Sequence, residues 1–522
     1  MKNDKLRNHW SRHATVYQIY PMSFQDSDRD GKGDLQGIID RVDHLVDLGI
    51  GAVWICPFYK SPMADFGYDI EDYTMVDPTF GTMADFERLV ATLHKHKIRV
   101  IVDFVGNHTS AQHPWFTESR SSRTNTKRDW YIWRDPKPDG GPPNTWVSIF
   151  GGPAWEYDKE TNQYYLHSFL KEQPDLNWRN PNLRAAMMDV IDFWVKKGVD
   201  GFRIDALQHF LKNPAEPDPL KTLVPSAGLV DPDKLEIVGS FISDALTHHP
   251  DLFIVGEIYM EIEPLVGLYK LCPNGRFMPF NFSLFNLPWK ASEFKRSIDT
   301  YQALLKHDYL ANYTLGNHDI SRVATRFGEA QALLAAFLQF TLPGMPFVYY
   351  GDEIGMTNGV VEPSAVRDIL ASIFRTQPPR DLERTPMQWD DSPHAGFSTD
   401  KPWLPVTPNY KTINVEHQKS DQKSPYRLYR ALIHLRNSSE TLRVGEYIPH
   451  KGGTRNIFSF ERHLGSERLL VVANFSDGIE HVSIPSSSRA PHVVFSTNAH
   501  RGIHLTDRTL ELMPYEGYIV RL

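Results

Sequence analysis

The feature that most constrains this chain is a recurrence. Short apolar runs rich in β-branched and aromatic residues return at intervals: VYQIY from residue 16, AVWIC from 52, VIVDF from 100, GFRID from 201, FIVGEI from 253, FNFSLF from 280, NYTLG from 312 and FVYYG from 347. Each has the length and composition of a buried strand. Between them lie stretches of helical period. In LQGIIDRVDHLVDLG, residues Ile38, Val42, Leu45 and Leu48 share one helical face, and Gly49 supplies the stop. Strands that alternate with helices pair in parallel, because parallel neighbours need a crossover. Eight of them predict a closed α/β barrel, the (β/α)8 or TIM barrel.

Two segments break the alternation. Residues 105 to 174 are turn-rich and Trp-rich and predict an inserted domain after the third strand. After YRLYRALIHLR at 426, the chain turns to strand-like runs such as NIFSFERH and RLLVVANFS, which predict a C-terminal antiparallel β domain. The expected organisation is a barrel over 1–104 and 175–438, an inserted domain over 105–174 and a β-sandwich over 439–522. The apolar run QALLAAFLQFTLPGMPFVYYG, 331 to 351, has the length of a membrane span. Pro343, Gly344 and Pro346 divide it into a helix and a strand, so no membrane partner is expected.

With 56 Lys and Arg against 64 Asp and Glu, the formal charge is −8, which argues against a nucleic-acid partner. The basic N-terminus lacks an apolar signal core, and the two cysteines, Cys56 and Cys272, have no metal-like spacing. A reducing, cytoplasmic setting is expected, with a monomer or homodimer as the assembly.

In a barrel of this kind, polar residues at the carboxyl ends of strands build the site. GFRID puts Arg203 and Asp205 on one side of its strand, and the guanidinium should hold Asp205 ionised, as a nucleophile requires. Glu257 ends FIVGE after an apolar run, where desolvation suits it to proton donation. Asp319 follows NYTLG, and His108 closes DFVGNH. A pair of carboxylates, one ionised and one protonated, is what glycoside hydrolysis needs.

The motifs DFVGNH, GFRIDALQH, GEIY and GNHD occur in that order. Together they resemble glycoside hydrolase family 13, the α-amylase family, and QPDLNW at 173 with RTPMQWD at 384 narrows the likeness to its oligo-1,6-glucosidase and α-glucosidase branch. The resemblance implies Asp205 as nucleophile, Glu257 as acid and base, and Asp319 as the carboxylate that grips the sugar. It further implies glucose contacts from His108, Arg203 and His318. Asp65, Tyr68 and Arg384 would close the pocket, with Tyr68 as its stacking platform. A closed pocket implies exo-cleavage of short α-glucosides with retention, and no organic cofactor.

QDSDRDGKGDLQG, 25 to 37, spaces Asp26, Asp28 and Asp30 like a calcium loop, but position 12 is Gly37 and a strand precedes it. From the residues, a structural Ca²⁺ or Mg²⁺ site and a metal-free acidic turn both stand. The family resemblance favours the ion, held by Asp26, Asp28, Asp30, Asp34 and the Lys32 carbonyl.

Ala206 follows the nucleophile where the branch's α-1,6 enzymes carry Val, which favours α-1,4 or mixed linkages. The Pro-rich stretch 211 to 234 reads as a rim loop on the acceptor side. Rival readings are an oligo-1,6-glucosidase, a sucrose isomerase or trehalose synthase type of glucosyl transfer, a non-catalytic transporter-associated chain, and a carbohydrate-binding module confined to the C-terminal strands.

Overall fold

A computed structural model describes residues 9–210, 212, 232–272, 275–305, 309–369, 378–450, 454–485, 491–498, 505–506 and 508–522. Its centre is a parallel sheet of β1 (Val16–Ile19), β2 (Ala52–Ile55), β3 (Arg99–Phe104), β4 (Gly201–Ile204), β5 (Phe253–Gly256), β6 (Phe277–Pro279) and β7 (Phe347–Tyr349). The order is β6-β5-β4-β3-β2-β1-β7, so the first and last expected strands are neighbours, as barrel closure demands. Val16 lies opposite both Ala52 and Phe347. Strand residues are buried on both faces, which is why these runs read as continuously apolar.

Two expected strands are corrected. The sixth is Phe277–Pro279 rather than FNFSLF. The Asn281 side chain accepts the Ser283 amide at 3.0 Å and turns the chain away just after it. NYTLG makes no strand; it contributes an isolated parallel bridge from Asn312 to Met345. Asn312 is fully buried, its Oδ1 accepts the Asn281 amide at 3.2 Å, and its Nδ2 donates to the Met345 carbonyl at 3.1 Å. One side chain thus links both flanks of the ring where a full strand was expected.

The first crossover is helical over Leu35–Asp40 and Val42–Leu48. Ile38, Val42, Leu45 and Leu48 are all buried, and Gly49 ends the second piece at φ 83. The long apolar run divides as expected into a helix, Glu329–Thr341, and β7. At Gly344, φ is 107 and a Cβ would meet the Ala311 carbonyl at 2.1 Å, so only glycine fits that turn. Among the described residues no helix is long and apolar enough to cross a membrane.

After β3 the insertion forms a helix, Pro114–Ser121, and a three-stranded antiparallel sheet with Gln163–Leu166 between Trp133–Arg134 and Trp155–Asp158. Ile132, Trp146, Ala154, Trp155 and Leu166 form its own small core. It is strapped to the barrel by a buried pair: Lys212 Nζ lies 2.6 Å from Asp175 and donates to Asn107 Oδ1 at 2.7 Å.

At the C-terminus, a five-stranded antiparallel sheet runs Glu446–Pro449, Ile457–Leu464, Glu467–Asn474, Gly517–Arg521, His492–Ser496. A three-stranded sheet faces it across a core that includes Leu470, Val482, Leu510 and Val520. Two buried arginines fasten this domain to the barrel. Arg462 donates to the carbonyls of Thr341, Leu442 and Gly445, and Arg436 to those of Phe340, Leu342, Gly344 and Leu442. The carbonyls of Phe340, Thr341, Leu342 and Gly344 lie at the C-terminus of helix Glu329–Thr341 and just beyond it, and those of Leu442 and Gly445 at the end of helix Glu440–Val444, where acceptors are otherwise orphaned and the macrodipole favours a cation.

Candidate active site

Strand pairing puts Asp103 of β3 opposite Arg203 of β4. The Arg203 guanidinium bonds Asp103 and, at 2.7 Å, Asp205 through Nη1, and reaches Glu257 Oε2 at 2.9 Å through Nη2. Trp54 Nε1 donates to the other Asp103 oxygen at 2.8 Å. Asp205 and Glu257 leave their strands one residue past the ladder, each amide still bonded to the neighbouring strand, at Phe104 O and Ile204 O. The next residue, Ala206, is left-handed at φ 45, and this turn aims its amide at Glu257 Oε2, 2.8 Å away.

The expectation that Arg203 keeps Asp205 ionised needs correction. The contact is present, but one guanidinium serves three buried carboxylates. Burial pushes Asp205 well above the ordinary range, Arg203 offsets this in part, and the charges of Glu257 and Asp103 push it up again. Burial also raises Asp103, to about 6.

Asp319 is held differently. Burial opposes its charge, but nearby cations outweigh burial and keep it well below the ordinary range. Arg384 Nη2 donates to its Oδ1 at 2.7 Å and Arg380 Nη1 at 3.2 Å. His318 is pushed far down by burial, which the Asp319 carboxylate 3.2 Å away opposes in part. Its ring lies parallel to Tyr68 at 5.6 Å, with Tyr68 Oη 2.8 Å from Nε2, and Gln18 Nε2 meets Nδ1 at 2.8 Å.

Asp65, Tyr68, His108, Arg203, His318 and Arg384 are all brought to this one region. The residue that ties Asp65 to Asp319, however, is Arg380 rather than Arg384. Arg380 Nη2 reaches Asp65 Oδ1 at 3.2 Å and Asp368 Oδ1 at 2.9 Å, while Nη1 lies 3.2 Å from Asp319 Oδ1. Arg384 instead donates to His318 O and Asp319. Arg380 escaped the sequence reading although it stands four positions before Arg384 in PRDLER. Gln173 was missed too: its Nε2 lies 3.1 Å from Asp65 Oδ2 and 2.9 Å from His108 Nε2. His108 is neutral, burial lowering it to about 4.

A third omission is Tyr259, in GEIY just after Glu257. It is half exposed, its ring centre is 4.8 Å from that of Phe282, and its amide donates to Gln208 Oε1 at 2.7 Å. It offers an aromatic face beside the acid. The expected rim loop, 211 to 234, lies outside the described residues except for Lys212 and the backbone start of helix Pro232–His248.

In the loop after β1, Asp26, Asp28 and Asp34 each place a carboxylate oxygen within 4.8 Å of the others. Three converging hard oxygens suit Ca²⁺ or Mg²⁺. Asp30 stands apart from this group, exposed, with its carboxylate 3.8 Å from Lys32 Nζ. Asp34 has a second task that the sequence reading overlooked. It caps the helix Leu35–Asp40 by accepting the Gly37 amide at 2.7 Å.

Comparison with known proteins agrees with this geometry. Residues 18–445 match the α-amylase catalytic domain family, and residues 457–519 match the C-terminal domain family of the α-amylase SusG. The chain is 39% identical to an oligo-1,6-glucosidase of Parageobacillus thermoglucosidasius, covering 94% of this chain and 93% of that one. It is 37% identical to maltase 1 of Drosophila virilis, over 98% and 87% of the two chains. Among solved structures it resembles an isomaltulose synthase mutant of Erwinia rhapontici in complex with sucrose, with a TM-score of 0.87, 35% identity and coverage of 98% and 99%. With a barrel, a carboxylate cluster at its strand ends and full-length relatives of this kind, the chain belongs to the α-amylase family, glycoside hydrolase family 13, and is a glycosidase.

Proposed function

We propose that the protein is an exo-acting, retaining α-glucosidase that releases glucose from the non-reducing end of short α-glucosides. The observation that carries this reading is the single Arg203 guanidinium bonded to both Asp205 and Glu257. Two carboxylates on adjacent nitrogens of one guanidinium favour the separation of retaining enzymes, roughly 5–5.5 Å, over the roughly 6.5–9.5 Å of inverting ones. Asp205 attacks the anomeric carbon while the Glu257 carboxyl gives its proton to the glycosidic oxygen. The leaving sugar departs, Glu257 then deprotonates water, and water displaces Asp205 with a second inversion. Asp319, Arg384, His318 and His108 grip the glucose hydroxyls. The Asp65–Arg380–Asp319 link closes the pocket behind them, which supports exo-cleavage. Proton NMR of the first glucose released from p-nitrophenyl α-glucoside, whose leaving group brings no second anomeric centre, tests the reading. The α anomer is expected; β-glucose, or release of longer fragments from maltooligosaccharides, refutes it.

Glucosyl transfer is the second reading. Tyr259 and Phe282 beside the acid give an acceptor sugar a stacking surface that water does not need. Chromatography of products at high maltose or sucrose separates the two outcomes.

The preference among linkages is proposed to rest partly on Ala206. Val there is expected to shift the maltose to isomaltose rate ratio towards isomaltose by ~1 to 3 kcal/mol, or about ten- to a hundredfold. The left-handed backbone makes a β-branched residue costly, by about 1–2 kcal/mol. The variant should therefore also melt earlier than Ala206→Gly. An unchanged ratio would remove the steric account.

Asp26, Asp28 and Asp34, with Asp30 and the Lys32 carbonyl completing the set, are proposed to hold a structural Ca²⁺ or Mg²⁺. The ion would neutralise converging carboxylates and brace the loop. At a hundredfold excess over its Kd an ion adds about 2.7 kcal/mol. Chelation should lower the melting temperature by a few degrees, and Asp28→Asn should abolish that response. Equal melting with and without chelator in the wild type would refute the site.

A further inference from the structure

A cleft of about 620 Å³ lies between the insertion and the barrel, outside the carboxylate cluster. Its walls carry Arg123, Arg128, Arg134, Arg179 and Lys212, and the single carboxylate among them is Asp129. Arg123 is paired with Asp135 and Lys212 with Asp175. Arg128, Arg134 and Arg179 have no carboxylate partner among the described residues. In a chain with a formal charge of −8, three such guanidiniums around one cavity are not a general basic surface.

Arg128 is the best defined of them. Its guanidinium lies 3.5 Å from the centre of the Trp133 ring and donates to Ser119 O at 2.9 Å, to the Thr161 hydroxyl at 3.0 Å and to Gln163 Oε1. Its Nε is buried without an acceptor. Burial lowers its pKa to about 10, with Asp158 and Asp135 opposing from a distance, so it stays charged while its own hydrogen-bond acceptors are neutral. A partly desolvated guanidinium without an anion is costly, and an arriving oxyanion would offset that cost.

We propose that this cleft binds a small phosphate-bearing molecule, with Arg128, Arg134 and Arg179 around the phosphate. The fork geometry of guanidinium matches phosphate oxygens, and the volume lies within the range of small-ligand sites. Asp129 and the Thr126 hydroxyl, also in the wall, can accept from sugar hydroxyls, which favours a sugar phosphate over the free ion. Lys212, already committed to Asp175 and Asn107, supplies charge rather than a bond.

Isothermal titration calorimetry on the full-length protein tests this, with glucose 6-phosphate, inorganic phosphate and glucose injected at matched ionic strength. Glucose 6-phosphate is expected to bind with a heat that persists in excess glucose, which occupies the catalytic pocket. In Arg134→Gln/Arg179→Gln, whose side chains lie at the rim, its affinity should fall by about tenfold or more per guanidinium removed. Phosphate binding as tightly as glucose 6-phosphate would support the site with the free ion as ligand. Absence of binding by both anions, or equal affinity in the double variant with an unchanged melting temperature, overturns the proposal.

Discussion

Replacing Asp205 with Asn is expected to lower kcat/KM on maltose by on the order of 10⁵, the scale of an oriented intramolecular nucleophile. The protein should meanwhile melt no earlier than the wild type. Asp205 is a buried carboxyl whose pKa is raised in the folded state. The folded protein therefore binds this proton more tightly than the unfolded chain does, and the wild type loses stability as pH rises from about 4 towards the raised value. Asn has no such slope, so the stability gap should widen in the variant's favour over that interval. Glu257→Gln should behave differently. Its loss on maltose is about 10² to 10⁴, and a substrate whose leaving group needs no proton should recover most of it, whereas Asp205→Asn stays inactive on both. Residual turnover above about one per cent in Asp205→Asn, in preparations free of wild-type enzyme, would remove Asp205 from the role of nucleophile.

Arg462→Met is expected to have the largest effect on stability, about 2–4 kcal/mol. The guanidinium serves the carbonyls of Thr341, Leu442 and Gly445, all in a buried interface. Met restores volume but no donor, and each buried carbonyl left without a partner costs about 1–3 kcal/mol. Part of this is returned because the cation no longer has to be desolvated, and burial already depresses the Arg462 pKa strongly. Arg436 also donates to the Leu442 carbonyl, which loses both guanidinium donors only when both are replaced, so the double variant Arg436→Met/Arg462→Met should cost more than the sum of the single changes. Urea melts followed by tryptophan fluorescence give the values. A loss below about 1 kcal/mol for Arg462→Met would mean that the interface holds without its donor.

The barrel was legible because its signal is periodic. Strands buried on both faces are written as apolar runs, and the crossover at 35–49 carries its own stop at Gly49. What escaped the sequence is whatever depends on a side chain replacing a backbone element. NYTLG has strand composition, yet Asn312 competes for the ladder with its own amide group. Likewise, four motifs identified the cluster's members, but no motif states that Arg203 must be divided among Asp103, Asp205 and Glu257. That sharing, a consequence of three strand ends converging, is what alters the expected protonation of Asp205. Arg380 and Arg384 have similar local contexts, and only the fold decides which of them reaches Asp65. In the acidic loop, alternate spacing suggested four aspartates, and the fold brings Asp26, Asp28 and Asp34 together while Asp30 accepts the Lys32 amide.

The Asn312 linkage has a mechanical meaning. A ring of ladders closed elsewhere by several bridged pairs per joint has one joint, between β6 and β7, where a single backbone bridge at Asn312 and Met345 is supplemented by the side-chain amides of Asn312 and Gln339. The chain leaves that joint directly into GNHD, so His318 and Asp319 are carried on the hoop's weakest seam. A sugar gripped by those two residues on one side and by the β3 to β5 strand ends on the other would act as a clamp across the ring, stiffening the barrel where its own hydrogen bonding is thinnest.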